Sequence, residues 1–253
     1  MSRTALVTGA SRGIGRAVAQ ALAEDGITLV GIHYAQDDDA AGETAELVEK
    51  AGATPVLIKA DLQHDAVAAA RSIAETFLDA ATASTGSRAI DVLVNNAGIG
   101  GPQPIGEIDA GTYRRVHEIN LTAPTFLIQE LLPHFAIGGR IVNVSTGFTR
   151  IAAPTHPVYA AAKAGLNALT LALAPSLGPR QITINAVLPG IIDTDLNAGW
   201  LDEPGAREHS AGLSVFNRVG TTDDVAQAVR YLASEGARWT TGQTLDVSGG
   251  SAI

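Results

Sequence analysis

Residues 4–15 read TALVTGASRGIG: a short apolar run, a glycine-rich turn, and the start of a helical pattern. A continuous apolar run of this length suits a strand buried on both faces of a parallel sheet. Gly9, Gly13 and Gly15 are spaced for a turn that brings the backbone close to a ligand. Free amides at the following helix N-terminus can then hold a pyrophosphate. The spacing is G-x-x-x-G-x-G and not G-x-G-x-x-G, and three glycines alone also close ordinary turns. Their place after the first strand of a βαβ unit is what points to a dinucleotide. Ser11, Arg12 and Ile14 complete the turn as cofactor-binding candidates.

The alternation continues along the chain. Strand-like segments lie at Thr4–Thr8, Thr28–Tyr34, Thr54–Lys59, Ile90–Asn95, Arg140–Ser145, Ile182–Leu188 and Gln243–Val247. Helical patterns lie near 13–25, 40–51, 64–83, 109–135, 157–177 and 222–234. The fold expected is α/β: one doubly wound Rossmann-type domain over 1–253, a central parallel sheet of about seven strands with helices on both faces. Ala80–Ala89 reads as a helix end and exposed loop. Asp193–Phe216 has weak periodicity and Gly/Pro interruptions, as a segment covering a pocket would, or as a plain surface excursion would. In it, Leu201, Leu213 and Phe216 would make a pocket apolar.

With 253 residues, 46% of them hydrophobic, the chain can bury one substantial core of mostly Ala, Val, Ile and Leu, since aromatics are 4%. It has no cysteine, which excludes disulfides and thiolate metal sites. The six histidines show no ligand-like spacing, so no metal is expected. The net charge of −9, without a basic cluster, argues against nucleic acid. The opening MSRTALVTGA lacks the charged head and long apolar stretch of a signal peptide. No apolar run approaches membrane-spanning length. A cytoplasmic protein with no membrane partner is expected.

The end of the second strand usually separates the two nicotinamide cofactors, because an acid there bonds the ribose 2′-hydroxyl and repels a 2′-phosphate. Here the strand ends GIHYAQ, with His33 at the acid's position, Tyr34 beside it, and Arg12 within reach from the glycine turn. A neutral-to-basic pair favours NADPH/NADP over NAD. The alternative is that His33 is only a strand-end side chain and that Asp37, Asp38 or Asp39 folds back.

Residues 158–165 read VYAAAKAG. Tyr159 and Lys163, four apart on a helix, lie on one face. An ammonium near a phenol lowers a pKa that starts near 10, and such a tyrosine can exchange a proton with a carbonyl or alcohol oxygen. Chance alone gives roughly 0.05 such pairs in a chain with so few tyrosines and lysines, so the spacing by itself is a modest signal.

TGASRGIG, Asp61–Leu62, NNAG at 95–98, Asn120, YxxxK at 159–163 and PG at 189–190 follow in order from Thr4 to Gly250. Together they resemble the short-chain dehydrogenase/reductases, and within them the bacterial 3-oxoacyl-carrier-protein reductase-like subgroup. The resemblance implies an NADPH-dependent carbonyl reductase acting on a small-molecule ketone or alcohol, a 3-oxoacyl thioester being one candidate. It implies Tyr159 as proton donor, with Lys163 lowering its pKa and bonding the nicotinamide ribose. Asn120 would hold a relay water. Asp61 and Leu62 would meet the adenine, while Asn95, Ala97 and Gly98 would line the cofactor. Pro189, Gly190, Ile192 and Thr194 would border the carboxamide. A homotetramer built on the helices near 112–135 and 157–177 is also implied. An NAD-linked alcohol dehydrogenase and a catalytically silent dinucleotide-binding regulator are the alternatives.

Two positions depart from the pattern. The family serine thirteen residues before the tyrosine is Thr146, with Ser145 beside it. Neighbouring strand side chains face opposite ways, so Thr146 is expected to carry the functional hydroxyl and Ser145 to face away. VSGG at 247–250 replaces the more frequent VDGG, and Ser248 is expected to serve a turn. His156, three residues before the tyrosine, reads as an ordinary loop histidine, the alternative being that it borders the substrate.

Overall fold

Seven strands pair in parallel in the order β3-β2-β1-β4-β5-β6-β7 in the computed structural model, which describes residues 3–251. They are β1 (Thr4–Val7), β2 (Leu29–Tyr34), β3 (Thr54–Lys59), β4 (Ile90–Asn95), β5 (Phe135–Val144), β6 (Thr183–Pro189) and β7 (Thr244–Val247). The longer helices are α1 (Gly13–Glu24), α2 (Asp38–Lys50), α3 (Ala66–Thr85), α4 (Ala110–His117), α5 (Ala123–Leu131) and α6 (Pro157–Leu177). The short helices α7 (Asp195–Leu201) and α8 (Ala206–Gly212) and the longer α9 (Thr222–Ala233) follow.

Side-chain alternation splits the sheet into two faces. Ala5, Val7, Val92 and Val94 pack under α1 and α9, while Leu6, Leu93 and Ile141 pack against Ile73 and Phe77 of α3 and Leu127 of α5. Along the central strands both faces are dry, which is why these strands read as unbroken apolar runs, whereas the edge strands β3 and β7 are largely exposed. The strand order reverses between β1 and β4, and the crevice outside their C-terminal ends is where such sheets bind ligands. The glycine turn after β1 and the Asn95 loop after β4 meet there: Thr8 Oγ1 accepts from the amides of Asn96 and Ala97, each at 3.0 Å.

The helix expected over 109–135 is interrupted. α4 passes into a π turn, Glu118–Thr122, closed by Ala123 N–H bonding Glu118 O, before α5 begins. Pro124 has no amide proton to give the Asn120 carbonyl, so the ordinary i→i−4 ladder cannot run through this point. β5 then starts at Phe135, five residues earlier than the sequence suggests, with a register shift between the pairs Ile90–Phe135 and Val92–Arg140. Two short helices, α7 and α8, occupy the weakly periodic 193–216 stretch. Leu201 is fully buried, whereas Leu213 and Phe216 stay exposed.

Candidate active site

The glycine turn is held in a shape only glycine permits. Gly9 has φ +61°, and a Cβ there would meet Ala97 Cα at 2.8 Å. A Cβ on Gly15 would meet Gly9 O at 2.2 Å and Asn96 Nδ2 at 2.5 Å. Asn96 fastens the turn by donating Nδ2 to Thr8 O and Gly9 O, both at 2.9 Å. Ser11 O is fixed by Arg16 and by Thr44 Oγ1 of α2. Ile14 packs into the core under the turn, and the Arg12 side chain is exposed, 3.7 Å from Asp195. Gly13 faces Thr194, whose Cγ2 would lie 3.6 Å from a Cβ there.

His33 does not do what its register suggests. It is buried, its Nδ1 accepts from Gly9 N–H at 3.2 Å, and its Nε2 faces Ala60 O at 3.1 Å. An amide can only donate and a carbonyl only accept, which fixes the neutral Nε2–H tautomer. Burial pushes its pKa from 6.5 down to about 4, opposed by the Ala60 bond. His33 therefore braces the turn and offers no positive charge to a phosphate. Tyr34 is likewise engaged: its hydroxyl donates to Asp38 at 2.8 Å, and Asp38 also holds Lys59 Nζ at 2.7 Å. Asp37 caps α2 through Ala40 N–H. The two carboxylates nearest the strand end thus both have partners.

On the other side of the crevice, α6 carries Tyr159 and Lys163 one turn apart. Lys163 is buried, with Nζ 6.0 Å from the Tyr159 ring centroid and donating to Val144 O at 2.7 Å. Ser145 Oγ donates to Lys163 O at 3.3 Å and so faces α6, while Thr146 lies on the Tyr159 side. Thr146 Oγ1 accepts from Phe148 N–H at 3.3 Å, which leaves its own proton to be donated elsewhere. Asn120, on the π turn, is buried and donates to Ile99 O at 3.0 Å and Val116 O at 2.8 Å. Its Oδ1 has no partner. A Cβ on Gly98 would meet that Oδ1 at 2.8 Å and Lys163 Nζ at 3.4 Å, so Tyr159, Lys163, Thr146, Asn120 and Gly98 converge.

The acidity of the phenol differs from the sequence expectation. Tyr159 keeps part of its surface open but is otherwise crowded by protein, and desolvation pushes its pKa up to about 12, with the Thr146 bond opposing. Lys163 is pulled down to about 7 by burial. Desolvation outweighs the attraction expected between ammonium and phenolate, because both groups lose water on the same helix face.

Several expected contacts turn inward. Asn95 sends Nδ2 to Asn143 Oδ1 at 2.8 Å, and Asn143 passes the chain to Thr170 Oγ1 at 2.9 Å and on to Leu166 O. This buried ladder ties β4, β5 and α6 together; Asn143 and Thr170 carried no sequence signal, since the partners are far apart in the chain. Ile192 is buried against Gly220, and its carbonyl accepts from Asn197. Asp61 accepts from Gln63 N–H and Leu62 is buried. Pro189 ends β6, and Gly190 touches Ser248, whose hydroxyl holds the closing turn through Ser251 N–H. Among the described residues no cluster of metal-ligating side chains occurs, and no helix is long and apolar enough to cross a membrane.

The glycine cradle, the open amides of the turn and the unpartnered Asn120 Oδ1 fit a bound dinucleotide. Residues 9–252 match the model of the enoyl-(acyl carrier protein) reductase family. The 3beta-hydroxysteroid dehydrogenase 1 of Eggerthella lenta is 34% identical over 99% of this chain and 94% of its own. Among solved structures, the angucycline C-6 ketoreductase LanV with bound NADP superposes with TM-score 0.92 at 40% identity, covering 98% of this chain and 95% of that one. The promiscuous reductase LugOII, which catalyses keto-reduction at C1 in lugdunomycin biosynthesis, gives TM-score 0.94 at 38% identity over 99% and 98% of the two chains. The chain belongs to the short-chain dehydrogenase/reductase family, oxidoreductases that act on carbonyl and hydroxyl groups.

Proposed function

We propose that this protein is an NADPH-dependent ketone reductase in which Tyr159 protonates the carbonyl oxygen. The observation that carries the reading is the convergence of Tyr159, Thr146, Lys163 and Asn120 beside Gly98, at the same sheet edge as the glycine cradle. Bound NADPH supplies the hydride. Desolvation keeps the phenol protonated near neutral pH, so it has a proton to give to a developing alkoxide. The Thr146 hydroxyl, which accepts from Phe148 N–H and lies on the Tyr159 side with its proton still to give, supplies a second donor to the same oxygen. Lys163 titrates near neutral pH and can return a proton to the phenol, with Asn120 Oδ1 a buried acceptor along the path. Gly9, Ser11, Gly13 and Gly15 would hold the diphosphate.

Preference for NADPH rests on the exposed Arg12 guanidinium and on the absence of a free carboxylate at Asp37 or Asp38. NADP in LanV and NADPH in a blue fluorescent protein of the same fold support it. NADPH and NADH oxidation with a ketone panel that includes a 3-oxoacyl thioester tests the reading. Ketone-dependent oxidation at least tenfold faster with NADPH is expected. Cofactor binding with no turnover across the panel would point to a regulator, and faster use of NADH would point to an NAD-linked dehydrogenase. The assembly proposed is a homotetramer seated on α5 and α6, where Leu171 is exposed; light scattering at a monomer mass would refute it.

A further inference from the structure

Phe, Trp and Tyr are 4% of this chain, yet two further rings, Phe148 and His156, stand against the reactive phenol. Phe148 and His156 lie with centroids 5.5 Å apart, Phe148 meets Tyr159 edge-on at 6.4 Å and 89°, and His156 meets Tyr159 at 6.5 Å and 70°. Everywhere else the core is Ala, Val, Ile and Leu with few rings. We propose that Phe148 and His156 form a ring clamp at the mouth of the Tyr159 site, and that the ketone reduced here carries a flat unsaturated ring next to its carbonyl. The inference rests on the reductase reading and names the substrate class.

Both rings are held in place before any ligand arrives. Phe148 sits on a short 3₁₀ turn, Gly147–Thr149, whose Thr149 Oγ1 donates to Thr146 O at 2.9 Å and accepts from Asn167 of α6 at 3.1 Å. His156 occupies the N-cap position of α6, its amide bonded to Ala153 O and its Nδ1 2.9 Å from Thr155 Oγ1. Its other edge looks over the loop beyond the NNAG turn: a Cβ on Gly100 would lie 3.9 Å from Cδ2 and 4.0 Å from Nε2. Nε2 has no protein partner among the described hydrogen bonds. Burial holds the His156 pKa below its usual value, so the ring is neutral at working pH and meets a ligand as an aromatic surface with one free polar atom.

Both side chains are half-buried, which leaves surface for a ligand. Aromatic faces and edges prefer other rings in offset or edge-on contact, an advantage of roughly 0.5–1.5 kcal/mol per pair that a flexible acyl chain does not collect. Nε2 adds a hydrogen bond to a hydroxyl or carbonyl substituent on that ring.

The test compares 1-tetralone, a bicyclic aryl ketone, with ethyl acetoacetate, an open-chain one, in the full-length protein with NADPH. The readout is the ratio of kcat/KM for the two. Phe148→Leu and His156→Ala should each lower the ratio about threefold to tenfold, while Phe148→Tyr and His156→Phe, which keep a ring, should restore most of it. In the wild type, 1-naphthol should inhibit ethyl acetoacetate reduction competitively, a measurement that needs no variant to fold. An unchanged ratio in both ring-removing variants overturns the clamp, as does a wild type that reduces ethyl acetoacetate but neither reduces 1-tetralone nor is inhibited by 1-naphthol. A wild type that binds NADPH and reduces neither ketone overturns the reductase reading along with it.

Discussion

His33 gives the most quantitative prediction. Its ring is neutral in the folded protein because Nδ1 must accept from Gly9 N–H while Nε2–H faces Ala60 O. In the unfolded chain the same ring takes up a proton near pH 6.5, whereas in the folded state it does so only near about 4. Between those values the unfolded state binds more protons, so stability falls as pH drops from 6.5 and the loss levels off below about 4. At 1.36 kcal/mol per pH unit the whole window is worth about 3 kcal/mol. His33→Asn keeps an acceptor and a donor but removes the titration. Urea denaturation at pH 7.0 and 4.5, at one protein concentration, measures both proteins. The stability of wild type relative to the variant should fall by about 2–3 kcal/mol between the two pH values. A relative stability that stays within about 0.5 kcal/mol would mean that the ring is not held neutral beneath the glycine turn.

Other tests bear on the opposite wall. Thr146→Ala should lose activity on the order of 100-fold through loss of a donor to the substrate oxygen, Thr146→Ser should recover most of it, and Ser145→Ala should act mainly on the melting temperature; a larger rate loss at Ser145 would reverse the assignment. Lys163 binds fewer protons folded than unfolded between pH about 7 and 10.5, so wild-type stability gains with rising pH there. Lys163→Met lacks that gain, and its melting temperature relative to wild type should be several degrees more favourable at pH 7 than at pH 10. No change in that difference would show that the lysine is solvated.

Much of this was legible in the residues because dry faces leave dry strands. ALVTG and DVLVN cannot alternate when both sides of the sheet are covered, and the glycines after β1 mark where the backbone has to turn sharply. Register was harder. Counting to the end of β2 located His33 but not the face it takes: it shares the side of Gly31, directed at the glycine turn, while Tyr34 shares the side of Ile32 and reaches α2. The π turn at Asn120 was visible only as Pro124 in HEINLTAP, an imino acid whose effect falls on the carbonyl four residues earlier. The Asn95–Asn143–Thr170 ladder left no local trace, since its members are joined by the sheet and not by the chain. Position alone also does not weigh desolvation against charge, and burial leaves Tyr159 less acidic than its lysine neighbour suggests.

Tyr159→Phe removes one hydroxyl and leaves the cradle, the ladder and Lys163 in place. With a ketone that the wild type reduces, NADPH oxidation by the variant should fall by on the order of 10²–10⁴-fold, while NADPH fluorescence shows binding within about threefold of wild type. A variant that still oxidises NADPH within tenfold of the wild-type rate would contradict the assignment of the proton to this phenol.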